Sequence, residues 1–442
     1  MRLPVVVLVG FSLVAGTPLC LDDPFPLHPE RRVIVPCPLS QNPPIRRQQF
    51  NTSQAFIFDF QCKVEPTLCD KAREGLRKSG EILSSYLEFS EPVRVNATFH
   101  RFCQDGETQL MDPGCEKRGY SIVVGEWFSG DLASPLVCAY QYEMTPHGDE
   151  YPGLARPTRL MLLEDDDQIV RFYPQPLVKQ LTFSPRPAYA TYDITAEFNA
   201  EHDWHFWADG PDLGAANRTD FEETVIHELI HGLGFLSMWV ELPGAPSALV
   251  PPGFLLNAED ERIATVTTDY FIETALDRYL VSVEPPNTIR ASEYAKQLNQ
   301  AARAAFKQPP TLEELTLALE TSPEFAPARA MMRQATANNT LALLPLGAQP
   351  DDFTWLETGL NPFRSGSSVS HVSLKDYRDT SERLMTYKSD RPLSLYQSIQ
   401  QYGGPIGPRL QRCMASIGYK TRPSLPAPNP PRVPASLPPS KP

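Results

Sequence analysis

Five consecutive residues, His227-Glu228-Leu229-Ile230-His231, hold the most specific chemistry in this sequence. On an α-helix, residues four apart share a face, so the two imidazoles can meet one metal ion, and Glu228 can reach a water on that ion without being a ligand. Zinc suits neutral imidazoles and, when three protein ligands hold it, keeps a position open for water. An ion of this kind lowers the pKa of its water towards about 7, and a neighbouring carboxylate can take up the proton. The bland alternative is a chance match on a buried helix; with eight histidines in 442 residues, such a match arises in roughly one chain in a hundred.

The stretch from Thr219 to Trp239 predicts the helix that the pair needs. Thr219 or Asp220 can cap its start, with Glu222 or Glu223 three residues on as a capping box, and Gly232 and Gly234 end it. What completes the site is not local. In the compact metzincin pattern HExxHxxGxxH, Gly234 falls on the glycine, but Ser237 stands where the third histidine belongs. A third ligand must come from elsewhere, and His371, Asp269, Glu273 and Asp277 are the candidates. His202 and His205, beside Trp204 and Trp207, read as packing residues ahead of extra ligands.

Around the helix, the periodicity predicts a strand–helix–strand start: a strand over Ala55 to Phe60, an amphipathic helix over Thr67 to Leu87, and an alternating strand over Pro92 to His100. Val93, Val95, Ala97 and Phe99 are its inward set; the outward set includes Asn96. Ser121 to Gly125 and Arg159 to Leu163 read as strands, and Glu164-Asp165-Asp166-Asp167 as a solvated turn ahead of a calcium loop, since EF-hand spacing is absent. Tyr192 to Asn199 alternates again and is the expected strand for an extended substrate. Asp269 to Leu280 reads as helical. Residues 281–345 read as a helical insertion, with one helix from Ala291 to Phe306 and another capped by Thr311 and Glu314.

The chain has 442 residues and a formal charge of −13, with pI about 5.2. No Lys/Arg-rich run stands out, which argues against nucleic acid and anionic membranes as partners. Residues 1–17, with Arg2 and an apolar run from Val5 to Ala15, read as a secretory signal too short for a membrane span. No later stretch is long and apolar enough to span a bilayer. The chain is therefore expected to be secreted and extracellular, with its eight cysteines used in disulfides. Cys62–Cys69 and Cys103–Cys115 are the expected local pairs; loss of Cys20 with the signal would leave an odd number. Residues 18–50 read as a leader or short pro-segment, in which Cys37 joins a disulfide ahead of blocking the metal as a thiolate. Asn51, Asn96, Asn217 and Asn338 lie in glycosylation sequons. The main domain is expected over 51–420, and 421–442 is a Pro-rich tail without core formers.

Several of these features together resemble leishmanolysin-type zinc metalloproteases: His227 to Phe235 (HELIHGLGF), a long insertion, Ser370-His371, then Leu384-Met385. The resemblance covers about 55–420 with long gaps. It implies an α+β, zincin-like catalytic domain with a mixed sheet, an active-site helix and a helical insertion. It implies Zn2+ held by His227, His231 and His371, Glu228 as general base, and Met385 in a turn forming an apolar floor. Met385-x-Tyr387 resembles the turn of some metzincins whose tyrosine swings onto zinc or the substrate carbonyl. The expected function is that of a secreted zinc-dependent endopeptidase acting on a protein or peptide substrate. The alternatives are a secreted non-catalytic binding protein on a zincin fold, or a zinc hydrolase of another bond.

Overall fold

A computed structural model describes residues 19–23, 32–37, 39–40, 55–102 and 152–423, the last without 182, 184, 185, 214–217, 257–261, 266, 285, 350, 351 and 390–392. The expected signal, the strand from Ser121 to Gly125, the Cys103–Cys115 pair, Cys138, the sequons at Asn51 and Asn217, and the tail beyond 423 lie outside the described residues.

Strands β1 (Leu19–Asp22) and β2 (Val33–Pro36) pair antiparallel. The strand–helix–strand unit follows: β3 (Phe56–Cys62), α1 (Pro66–Tyr86) and β4 (Val93–His100). In β4 the inward set Val93, Val95, Ala97 and Phe99 is fully buried. Asn96 is half-buried between Asp59 and Thr195 of the neighbouring strands. Next come β5 (Gly153–Pro157), β6 (Arg159–Glu164), β7 (Val170–Pro174) and β8 (Ile194–Asn199). One sheet has the order β3-β4-β8-β5, in which β5 is the single antiparallel strand. The other has the order β2-β1-β6-β7.

Two sequence expectations change here. First, the strand over Tyr192 to Asn199 begins at Ile194 and is interior, paired with β4 on one side and β5 on the other. Both its edges are used, so it cannot take an extended substrate. Second, residues 19–23 and 32–37 of the expected leader are built into the fold. Besides the β1–β6 ladder, Asp22 accepts from Arg159, and buried Asp23 accepts from Arg32 Nε at 2.8 Å and Arg156 Nη1 at 3.3 Å. Cys20 and Cys37 are joined by a disulfide. The expected Cys62–Cys69 bond is present, and Cys413 is a buried free thiol.

The helix α2 (Phe221–Leu233) carries the histidine pair. Phe221 anchors its first turn among Phe99, Phe198, Trp204 and Phe206, with ring centroids 5.0–5.7 Å away. Gly232 lies in the last turn of the helix, which Gly234 stops, and a Cβ at Gly232 would stand 2.6 Å from Ile194 Cγ2. That close approach seats α2 directly on β8.

The segment Asp269 to Leu280 is not the expected helix. Its backbone bonds go to neighbours: Phe172 N–H donates to Glu273 O, Ala275 N–H to Phe172 O and Ile272 N–H to Pro251 O, at 2.7–2.9 Å. Its residues from Tyr270 to Asp277 are buried, so it lacks the polar face that a surface helix keeps. The insertion is mixed and not purely helical: α3 (Ala291–Ala305) packs with β9 (Leu280–Glu284) and β10 (Asn287–Arg290), while α4 (Leu312–Thr321) and α5 (Ala326–Ala335) pack with the strand Ala245–Val250, and β11 (Leu341–Leu343) and β12 (Thr354–Trp355) follow. Strands β9 to β12 form one antiparallel sheet, β10-β9-β11-β12. The Thr311/Glu314 capping box is present. The architecture is α+β.

The acidic turn is neither a calcium loop nor simply solvated. Asp165 is buried against Arg171 and the Tyr173 hydroxyl, and Asp166 pairs with Arg278. Replacing Cys20 and Cys37 together by Ser is expected to cost about 3 kcal/mol, the loop-entropy term for a ring of this size. Urea unfolding of the two proteins measures it, and an unchanged midpoint would show that the hairpin is held without its bridge.

Candidate metal centre

Asp220 caps α2: its Oδ1 accepts the Glu223 N–H at 2.8 Å and its Oδ2 the Leu395 N–H at 2.8 Å, fixing the start of the helix. Gly234, at φ 118°, stops it in the left-handed conformation that glycine adopts freely. His227 and His231 therefore project one turn apart from a short helix fixed at both ends.

The fold brings His371 to them. The three Nε2 atoms form a near-equilateral triangle, 3.1 Å for His227–His231, 3.1 Å for His231–His371 and 3.2 Å for His227–His371. Each Nδ1 faces a backbone carbonyl: Leu384 O at 2.6 Å for His227, Phe235 O at 2.6 Å for His231 and Ser367 O at 3.2 Å for His371. A carbonyl only accepts, so each Nδ1 carries the proton and each Nε2 presents a lone pair. Three lone pairs at this separation repel one another unless a cation lies among them. A tetrahedral ion bound at about 2.0–2.1 Å separates its nitrogen ligands by roughly 3.3 Å, so the triangle fits a zinc-sized ion. No other group of three or more His, Cys, Asp or Glu side chains gathers this way among the described residues.

Burial keeps these imidazoles neutral. It lowers His227 to about 4 and His231 to about 3, the latter helped by His227, and pushes His371 well below the ordinary histidine value. The same burial acts oppositely on Glu228, raising it to about 8 against the one hydrogen bond it accepts, from Ala155 N–H to Oε2 at 2.8 Å.

His371 is positioned by the backbone around it. Its carbonyl accepts from Glu357 N–H, and Val372 N–H donates to Met385 O, both at 2.8 Å. Fully buried Val369 has φ 64°, an uncommon conformation for a β-branched residue and the kind of local strain that clusters at functional sites. Met385 is fully buried in the turn Arg383–Met385, whose Leu384 carbonyl holds His227.

The other candidates lie elsewhere. Asp269 pairs with Arg303. Glu273 accepts from Trp239 Nε1 at 3.2 Å and Ser292 Oγ at 2.7 Å, and Asp277 accepts from Met238 N–H at 3.0 Å. His205 Nε2 meets Gly210 O at 3.0 Å, and His202 lies against Trp204. Tyr387 is half-buried with its ring facing the Lys388 ammonium, and no hydrogen bond ties its hydroxyl to the histidines or Glu228. The sequence reading missed Ala155, Leu384, Phe235 and Ser367. They act through backbone groups, which side-chain identity does not report.

Two tests follow from this geometry. His371→Ala is expected to lose more zinc affinity than the roughly 10–100-fold that removing an outer hydrogen-bond partner costs; wild-type affinity in that variant would exclude His371 as a ligand. Because the imidazoles bind protons so weakly, zinc affinity should fall less than tenfold between pH 7.5 and pH 5. Three ordinary histidines would lose roughly 10⁴-fold over the same range, and chelator competition at the two pH values distinguishes them.

A family model described as SPBPB7E8-like matches residues 20–123 and 136–436. The chain is also similar to the "Uncharacterized protein PB7E8.01" of Schizosaccharomyces pombe, with 27% identity over 400 residues, 84% of this chain and 63% of that protein. It thus spans less than two thirds of the length of that relative. No solved structure matches.

Proposed function

The chain belongs to the SPBPB7E8-like family, and we propose that it is a secreted zinc-dependent endopeptidase with a zincin-like catalytic domain. The observation that carries this reading is the juxtaposition of three converging imidazole lone pairs with a buried carboxylate on the same helix, Glu228. A purely structural metal site has no need of a base beside it.

His227, His231 and His371 would hold zinc, which when bound activates a water and polarises the scissile carbonyl. Glu228 accepts the proton from the attacking water and delivers it to the leaving amine nitrogen. Burial raises the Glu228 carboxyl to about 8, because the pocket disfavours negative charge. A divalent ion beside it relieves that penalty and returns Glu228 to the ionised form a base requires. Ala155 N–H anchors Oε2, and no described residue donates to Oε1, which is left to handle the proton.

The substrate strand belongs at β5, not at Ile194–Asn199. In the β5–β8 register Leu154 and Arg156 turn their backbone groups to β8, so Gly153 and Ala155 turn theirs to the outer edge, where no described strand pairs. An extended peptide can add there antiparallel, taking Gly153 N–H and C=O and Ala155 C=O. The Ala155 N–H on that edge already holds Glu228, so substrate strand and base share one residue.

Secretion is supported by the two disulfides, bonds that persist in oxidising compartments. Among the described residues no helix is long and apolar enough to cross a membrane. Tyr387 has no part in this resting arrangement and is assigned no step.

Glu228→Gln should keep zinc at wild-type stoichiometry while hydrolysis of an unfolded protein substrate falls by roughly 10²–10⁴-fold. Metal analysis and digestion of wild type and variant decide it. A zinc-loaded wild type that cleaves no peptide bond would sink the peptidase reading in favour of a binding protein or a hydrolase of another bond.

A further inference from the structure

We propose that Glu223 and Arg383 are positioning residues that hold the Leu384 carbonyl against His227 and so set the ligand geometry of the metal centre. The inference rests on the metal-centre reading above and concerns neither ligand nor base directly.

Glu223 lies four residues before His227 and so one turn earlier on the same helix face. The capping-box pattern expects its carboxylate to reach back to the backbone at the start of the helix. Instead it extends to the other side of the site: its Oε1 and Oε2 lie 3.2 and 3.5 Å from Arg383 Nη1. Capping is left to Asp220. The pair is nearly out of solvent, with 5% of the Arg383 side chain and 15% of the Glu223 side chain exposed.

Arg383 opens the turn that carries Leu384 and Met385, and it organises that turn from both ends. Its Nη2 donates to Ser389 Oγ at 3.1 Å, and its carbonyl accepts from Thr386 N–H at 3.0 Å and Thr386 Oγ1 at 2.8 Å. The next carbonyl along, that of Leu384, receives His227 Nδ1–H at 2.6 Å. The guanidinium therefore ties a turn closed on itself to the helix that bears the ligand, one turn from the bond that orients it.

Stability alone gives little reason to place charges here. A buried ion pair commonly contributes no more than apolar residues of equal volume, whereas it fixes direction through a planar, always-charged fork. Asp220, also facing Glu223 from the helix start, repels its carboxylate and leaves Arg383 as the partner that holds it. Outer contacts of this kind orient imidazole ligands and govern metal affinity.

The test uses the full-length protein, with zinc affinity from chelator competition and the visible d–d spectrum of the cobalt(II)-substituted form. Glu223→Gln and Arg383→Met are each expected to weaken zinc by roughly 10–100-fold and to change the cobalt band. The double variant, which leaves no unpaired buried charge, is expected to fold and to be no worse than either single variant, as coupled partners require. A folded double variant with wild-type affinity and an unchanged cobalt spectrum would overturn the clamp. So would a double variant that fails to fold, because the pair would then act on the fold as a whole. A wild type that takes up neither metal would instead overturn the metal centre, and the clamp with it.

Discussion

Three imidazole nitrogens with unshared electron pairs, about 3 Å apart and largely withdrawn from water, make up the arrangement on which the rest of the site depends. Each is aimed by a proton on its far side that is committed to a backbone carbonyl, from Leu384, Phe235 or Ser367. Those carbonyls come from three separate places: the turn Arg383–Met385, the residues just past the helix stop, and the loop before His371. None of the three is free to move without rotating a ring. Much of the local architecture follows from that requirement, including the left-handed Gly234, which folds the chain back so that Phe235 O reaches His231, and the positive φ at Val369.

The proposed base imposes a second condition. Glu228 must lie close to the metal position yet stay out of the ligand set, which puts its carboxylate in a nearly dry place at high electrostatic cost. The edge strand β5 lowers that cost with one amide, Ala155 N–H. The seating of α2 on β8 through Gly232 brings the helix near enough to the sheet for that bond to form. Because β5 is antiparallel and terminal among the described strands, the same strand that steadies the proposed base leaves backbone groups facing outward. In the proposed reading, sheet order and the placing of Glu228 are thus one constraint.

How far the sequence displayed this differs from element to element. The capped helix, the β3–α1–β4 start and the Thr311/Glu314 box were legible because each is written in local periodicity and caps. His371 was reachable through the order of SH and LM after HELIHGLGF, while Asp269, Glu273 and Asp277 could be set aside only once their partners were visible. Asp269 to Leu280 misled because helical spacing of apolar residues also suits a segment buried on every side, and there the carbonyls of Phe172 and Pro251 and the amide of Phe172 displace helical bonding. Tyr192 to Asn199 alternates as any half-buried strand does; alternation reports faces and carries no sign of whether an edge is free. Residues 18–50 resembled a leader because Pro-rich composition conceals two short strands whose hold comes from Arg156, Arg159 and a disulfide.

A proposed ligand 140 residues from its partner invites the question of why the compact spacing is not used. Chain entropy offers little objection. Closing a flexible loop of 140 residues instead of six costs only about 3 kcal/mol more, since the penalty grows with the logarithm of length. Most of that is absorbed when the intervening chain folds, since its buried apolar residues join the main core. What a distant ligand does require is a rigid path for the returning chain, and the insertion supplies one. Arg171 of β7 joins Asp165, Glu273 and Ser292 in a buried network, fastening the start of the insertion to the second sheet. At its far end β12 is hydrogen-bonded to β11, and the residue after β12, Leu356, bridges to Val372. His371 therefore arrives on chain already anchored at both ends of the insertion. Ser237, which stands where the compact pattern has its third histidine, instead accepts the Trp239 N–H at 3.1 Å.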